Sequence, residues 1–111
     1  MGKAIVLTAT VLAFAASAAL AAGNAEKGKA LFNDPKFAGA TSGRSCNTCH
    51  PAGKGLEHAG SKKVFHNAGK TQHTLEGAVN ACIEGAIDGK AIDPKSGAMQ
   101  DIVAYIKSLE G

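Results

Sequence analysis

The chain is poor in the bulky side chains that usually fill a small hydrophobic core. Its 111 residues include no tryptophan and one tyrosine, and aromatic residues make up 5% of the sequence. No run alternates between apolar and polar residues, so the pattern predicts no β-sheet. Basic residues form no block longer than Lys62-Lys63 and are not interleaved with aromatics, which argues against a nucleic-acid-binding surface. A domain this small makes a thin core from side chains alone, so we expect another apolar group to complete it.

The segment from Met1 to Ala22 has the composition of a secretory signal. One positive charge, Lys3, precedes an apolar run from Ala4 to Leu20, and the segment closes on alanines. This order of charged, apolar and small residues predicts export, with cleavage after Ala21 or Ala22. The apolar run, about 17 to 19 residues long, is close to the shortest bilayer-spanning length, so a retained membrane anchor is the alternative.

Residues 23–111 then form one small domain, which we expect to be monomeric and periplasmic or otherwise exported. Removing Lys3 from the 12 basic residues leaves 11 against 9 acidic ones, a formal charge of +2. No other segment approaches the length needed to span a membrane. The mature domain is therefore expected to be nearly neutral and free of the membrane.

Two of the three cysteines lie in the stretch Cys46-Asn47-Thr48-Cys49-His50. C-x-x-C-H is the signature of covalent c-type haem attachment, because two thiols on one helical turn can each add across a haem vinyl group. The adjacent His50 then serves as the proximal iron ligand. A redox dithiol or half a zinc site is the alternative, but the sequence has no second C-x-x-C or H-x3-5-H pair to complete a zinc site. The motif predicts one covalent haem c, which would also supply the missing apolar volume.

Two helices are predicted on either side of an irregular middle region. Asn24 can cap a first helix that Asp34-Pro35 ends. A longer helix from Thr74 to Gly89 has Thr74 as its cap and Gly89 as its end. Its apolar stripe comprises Leu75, Ala78, Val79, Cys82, Ile83 and Ala86. The glycine-rich region from Ala52 to Lys70 cannot hold itself rigid and is expected to wrap around the haem.

A last helix is predicted from Gly97 to about Leu109, with Ser96 as its cap. Its buried face would comprise Met99, Ile102, Val103, Ile106 and Leu109. The glycine at position 28, inside the first helix, costs about 1 kcal/mol, which suggests that another backbone passes close to it.

The order of these parts resembles the class I monohaem cytochrome c domain. The likeness rests on Gly28-x-x-x-Phe32 in the first helix, the motif Cys46 to His50, and Tyr105 in the last helix. The resemblance implies an all-α fold of about three to five helices wrapped around one covalent haem. It also implies that the first and last helices cross at Gly28, where the aromatic side chain packs.

The last third of the chain is similar to the cytochrome domains of SoxA-type and thiosulfate dehydrogenase-type proteins. The similarity rests on four short stretches: Val79-Asn80-x-Cys82-Ile83-Glu84, Gly89-Lys90-Ala91-Ile92, Ser96-x-x-Met99 and Ala104-Tyr105-Ile106. In those proteins the cysteine that matches Cys82 ligates the iron on the distal side. The resemblance therefore implies Cys82 as the distal ligand.

The residues leave the sixth iron ligand open between several candidates. Cys82 lies on an apolar helical face, although a free cysteine is commonly a small buried hydrophobe. Met99 is the alternative, but it lies inside the last helix rather than in a preceding loop, so it is equally well explained as core filler. The remaining candidates are His58, His66 and His73, and an open position would suit the binding of small molecules.

The expected function is electron transfer by an exported monohaem cytochrome that is not itself an enzyme. The alternative is a Cys82-ligated haem protein that oxidises thiosulfate or a related sulfur compound together with a partner. A haem-based gas sensor would need an open iron and an output domain, for which this chain has no room. A group of lysines could steer an acidic redox partner toward the haem edge, and its members are Lys54, Lys62, Lys63 and Lys70.

Overall fold

The computed structural model describes residues 23–110. The predicted signal segment and its cleavage site lie outside the described residues. The four α-helices of the described part are α1 (Ala25–Phe32), α2 (Cys46–Cys49), α3 (Leu75–Ala86) and α4 (Gly97–Ser108). The two strands are β1 (Phe65–Asn67) and β2 (Lys70–Gln72), and single 3-10 turns occur at Phe37–Gly39, Pro51–Gly53 and Ala59–Ser61. Among residues 23–110, no helix is long and apolar enough to cross a bilayer.

The three predicted helices form with the predicted caps. The side chains of Asn24, Thr74 and Ser96 accept hydrogen bonds from the first-turn amides of α1, α3 and α4. α3 ends at Ala86, earlier than predicted, and the left-handed residue beyond it is Asp88 (φ 56°) rather than Gly89. Aspartate tolerates this conformation better than most residues, and the Gly89 amide then donates to the carbonyl of Ile83 at 2.8 Å.

The prediction of an all-α chain without a sheet is wrong in one place. β1 and β2 form an antiparallel hairpin that pairs Phe65 with Gln72 and Asn67 with Lys70. Two residues with positive φ, Ala68 (53°) and Gly69 (74°), connect the strands, as in the turns that suit the twist of a hairpin. Strands of three residues are too short for an alternating pattern to be visible in the sequence.

Helices α1 and α4 cross at Gly28, as the resemblance predicted. A Cβ atom on Gly28 would lie 2.5 Å from the carbonyl carbon of Asp101 and 2.9 Å from the Cβ of Tyr105. One turn further along α1, the rings of Phe32 and Tyr105 pack edge to face with centroids 5.1 Å apart. The missing side chain at Gly28 therefore allows the two backbones to touch.

The core gathers around α4, whose predicted inner face is buried with the exception of the half-buried Leu109. The fully buried side chains of the core are Phe32, Ile83, Met99 and Ile102. α3 and the hairpin are part of this core, through Ala78, Val79 and Ile83 on α3 and Phe65 on β1. The result is a small helical domain with one hairpin, and a cavity opens where α2, α3 and the hairpin face one another.

Candidate haem site

A partly open cavity of about 180 Å³ lies beside the C-x-x-C-H motif. Cys46 and His50 line it from the α2 side, and Cys82 lines it from α3. Much of the remaining wall is apolar and comprises Leu56, Ala59, Phe65, Leu75, Val79 and Ile106. A second space of about 40 Å³ is lined by the same three residues together with Cys49. Cys46, His50 and Cys82 thus border both spaces.

The two motif cysteines lie on a single turn of helix. The Ser45 amide donates to the Thr48 hydroxyl at 3.0 Å, which closes the N-terminal end of α2. The Asn47 side chain accepts from the amide of Ala52 at 2.8 Å and fixes the chain where it leaves the helix. Cys46 is half-buried toward the cavity and Cys49 is exposed. The motif is therefore preformed by its own local hydrogen bonds.

His50 is held in an orientation that suits a metal ligand. Its Nδ1 lies 3.0 Å from the carbonyl oxygen of Lys54. Because a carbonyl can only accept, Nδ1 carries the proton and Nε2 keeps its lone pair for a metal. The acceptor is itself fixed, since the Lys54 amide donates back to Pro51 at 3.0 Å. Such an outer hydrogen bond sets the tautomer and orientation of a ligating histidine.

The candidates for the sixth ligand are placed differently around the cavity. Cys82 and His66 line it, while His58, His73 and Met99 do not. Met99 has no exposed surface and belongs to the hydrophobic core. Cys82 is half-buried, and its sulfur accepts a hydrogen bond from Asn67 Nδ2 at 3.0 Å.

The cavity also changes the acidity of one motif cysteine. Burial raises the pKa of the Cys46 thiol from 9.0 to about 11, and repulsion from a charged Cys82 adds to the effect. Both cysteines line the same cavity. Cys46 stays protonated at neutral pH, in the thiol form that a thioether bond consumes.

The predicted lysine group is exposed but is not uniform. The Lys62 side chain lines the cavity, and its Nζ lies 5.5 Å above the ring of Phe65. Lys70 Nζ lies 3.7 Å from a carboxylate oxygen of Glu84, so part of its charge is neutralised. Of the four lysines, Lys62 is the one that lines the cavity.

Asn67 is a contact residue of the site that the sequence did not predict. Asn67 reaches Cys82 from the hairpin, across 15 positions of sequence. The sequence feature that could have indicated it is its position directly before Ala68-Gly69, the two-residue hairpin turn. This region was predicted to be irregular, so the turn was not recognised.

The donor set and the walls fit a haem better than a bare metal ion. One imidazole and one thiol border an apolar cavity beside two further thiols spaced for vinyl attachment. A small helical domain with this site is a c-type cytochrome domain.

Comparison with known protein families also identifies a cytochrome c domain and specifies its family. The SoxA/TsdA cytochrome c domain matches residues 27–110, and the chain belongs to this family. Its cofactor is covalently bound haem c. Neither a curated protein nor a solved structure matches the chain significantly.

Proposed function

We propose that this protein is an exported monohaem cytochrome that carries single electrons between redox partners, with His50 and Cys82 as the side chains that would hold the haem iron. The observation that carries the proposal is that these two side chains line one apolar cavity, His50 from the end of α2 and Cys82 from α3. A haem iron held by two protein side chains would be suited to electron transfer rather than to binding small molecules.

Each residue of the site has a distinct role in this proposal. The haem supplies a one-electron ferric/ferrous couple. Cys46 and Cys49 would fix the haem through thioether bonds, and the Lys54 carbonyl would keep the His50 ring aligned. Apolar side chains such as Val79 and Ile106 would exclude water from the site.

The reduction potential of the haem would depend on whether Cys82 or Met99 is the sixth iron ligand. A thiolate donates negative charge and favours ferric iron, whereas a neutral methionine sulfur raises the potential. Met99 is supported as a core side chain, because it is fully buried and lines neither cavity. We therefore place this cytochrome among those of lower potential.

The experiment is a redox titration of the purified holoprotein with a haem count. We expect one haem per chain, a reversible one-electron transition, and haem that stays with the polypeptide under denaturing conditions. The double variant Cys46→Ser/Cys49→Ser should lose covalent haem. Unchanged haem retention in that variant, or a titration that requires two haems per chain, would contradict the proposal.

A second function is favoured by the family match together with Cys82. SoxA/TsdA members include sulfur-oxidation enzymes or subunits, and a cysteine borders the cavity here. The protein would then oxidise thiosulfate or a related compound, with a partner to receive the electrons one at a time. Steady-state oxidation of thiosulfate with ferricyanide as acceptor separates the two functions. If the wild type oxidises thiosulfate and Cys82→Ala does not, the protein is an enzyme. If the wild type does not oxidise thiosulfate, the result supports an electron carrier.

A further inference from the structure

The side chain of Asn67 makes two hydrogen bonds to neighbouring groups on one face of α3. Its Nδ2 donates to the carbonyl oxygen of Ala78 at 2.9 Å and to the sulfur of Cys82 at 3.0 Å. Ala78 and Cys82 are four residues apart, so they lie one above the other on the helix. Both amide hydrogens of Asn67 are therefore used on α3.

The orientation of the Asn67 amide is fixed by its surroundings. The carbonyl of Ala78 can only accept, so the NH₂ group and not the oxygen must face α3. The Oδ1 atom is buried and has no hydrogen-bond partner. Anchoring of the hairpin would need only the bond to Ala78, and the second N–H is left for the sulfur.

We propose that Asn67 is a positioning residue that aims Cys82 at the iron and raises the reduction potential through its N–H···S hydrogen bond. The inference rests on the proposed function, in which Cys82 is the distal ligand. A hydrogen bond to a ligating sulfur withdraws electron density from it and weakens its donation to ferric iron. Reduction to ferrous iron is therefore easier than it would be with a ligating thiolate that accepts no hydrogen bond.

Two further contacts hold the hairpin against α3, so the position of the Asn67 side chain does not depend on its own hydrogen bonds alone. A Cβ atom on Gly85 would lie 2.7 Å from the Cβ of Ala68, which means that the hairpin tip touches the helix where it has no side chain. Lys70 pairs with Glu84 one position earlier on the same helix. The hairpin thus forms a fixed support for the amide.

The test compares Asn67→Leu with Asn80→Leu in the holoprotein. Asn80 is a matched control because it is also half-buried and makes two hydrogen bonds of 2.9 Å, both to Ile92 rather than to Cys82. Asn67→Leu should lower the midpoint potential and shift the thiolate-to-iron charge-transfer band to longer wavelength. Asn80→Leu should leave both unchanged, even if it lowers thermal stability.

A measurement on the wild type covers the case in which Asn67→Leu does not fold. The iron–sulfur stretching frequency, read by resonance Raman, should shift in D₂O because the N–H···S hydrogen exchanges for deuterium. An isotope-insensitive frequency, or a potential and band in Asn67→Leu equal to those of the wild type, overturns the role of Asn67. Cys82→Ala distinguishes the two levels of argument: a variant with an unchanged spectrum overturns the distal ligand itself, and with it this inference.

Discussion

The crossing of α1 and α4 makes Gly28→Ala a demanding test of the packing. The added methyl group would lie 2.5 Å from the Asp101 carbonyl carbon, and a backbone atom cannot move aside without moving α4. Overpacking of this kind typically costs about 1–3 kcal/mol, and contact with backbone places this case at the upper end. Alanine returns up to about 1 kcal/mol of helix propensity. The expected net loss in unfolding free energy is about 2 kcal/mol.

A loss of that size lowers the melting temperature by about 8–16 °C in a domain of this length. Thermal unfolding of the holoprotein, followed by far-UV circular dichroism, measures the change. Gly97→Ala is the matched control, because Gly97 lies in α4, the other helix of the crossing, and a Cβ there meets nothing within 4 Å. We expect this control to melt at or slightly above the wild-type temperature. A Gly28→Ala protein that melts at the wild-type temperature or higher would refute the close crossing.

Three further predictions concern the site and its surroundings. Gly85→Ala should push the hairpin away from α3 and lower the potential in the direction expected for Asn67→Leu; an unchanged potential would contradict the role of the hairpin as a support. In haem-free protein that keeps its fold, Cys46 at pH 8 should be alkylated about 100-fold more slowly than a thiol with a pKa of 9.0. Because the pKa of Cys46 is raised to about 11 in the folded protein, its contribution to the free energy of unfolding should be constant below pH 9 and should fall as the pH rises toward 11. Equal alkylation rates of Cys46 in native and unfolded protein would argue against its burial. The double variant Lys62→Glu/Lys63→Glu should slow oxidation by anionic ferricyanide at low salt and leave the rate little changed at high salt; no change at low salt would exclude steering by this pair.

Local signals account for the parts of the fold that the sequence predicted. A capping side chain and a 3.6-residue apolar spacing are present within a single segment, so α3 and α4 could be recognised one at a time. The hairpin could not, because its strands of three residues carry no period and one turn position is an alanine in a left-handed conformation. The end of α3 was misplaced for a related reason: glycine is the usual left-handed residue, but here Asp88 adopts that conformation one position earlier.

The same distinction applies to the candidate site. C-x-x-C-H is a local motif, so its spacing alone is enough to predict the residues that would attach the haem. Cys82 and Met99 both lie on apolar helical stripes, and only the packing of α3 and α4 decides which of the two sulfurs borders the cavity and which lies in the core. The Asn67 contact depends on the hairpin and on α3 together, so it had no counterpart in a single segment.

The measurement that tests the central proposal most directly is the absorption spectrum of the oxidised holoprotein, compared with Cys82→Ala and Met99→Ala. With Cys82 as the distal ligand, Cys82→Ala should lose the thiolate-to-iron charge-transfer band and bind added cyanide or imidazole. Met99→Ala should keep the wild-type spectrum while losing about 2–5 kcal/mol of stability, as expected for truncation of a buried methionine. A Met99→Ala protein that loses its native ligation, together with a spectrally silent Cys82→Ala, would contradict thiolate ligation and identify a His/Met electron carrier.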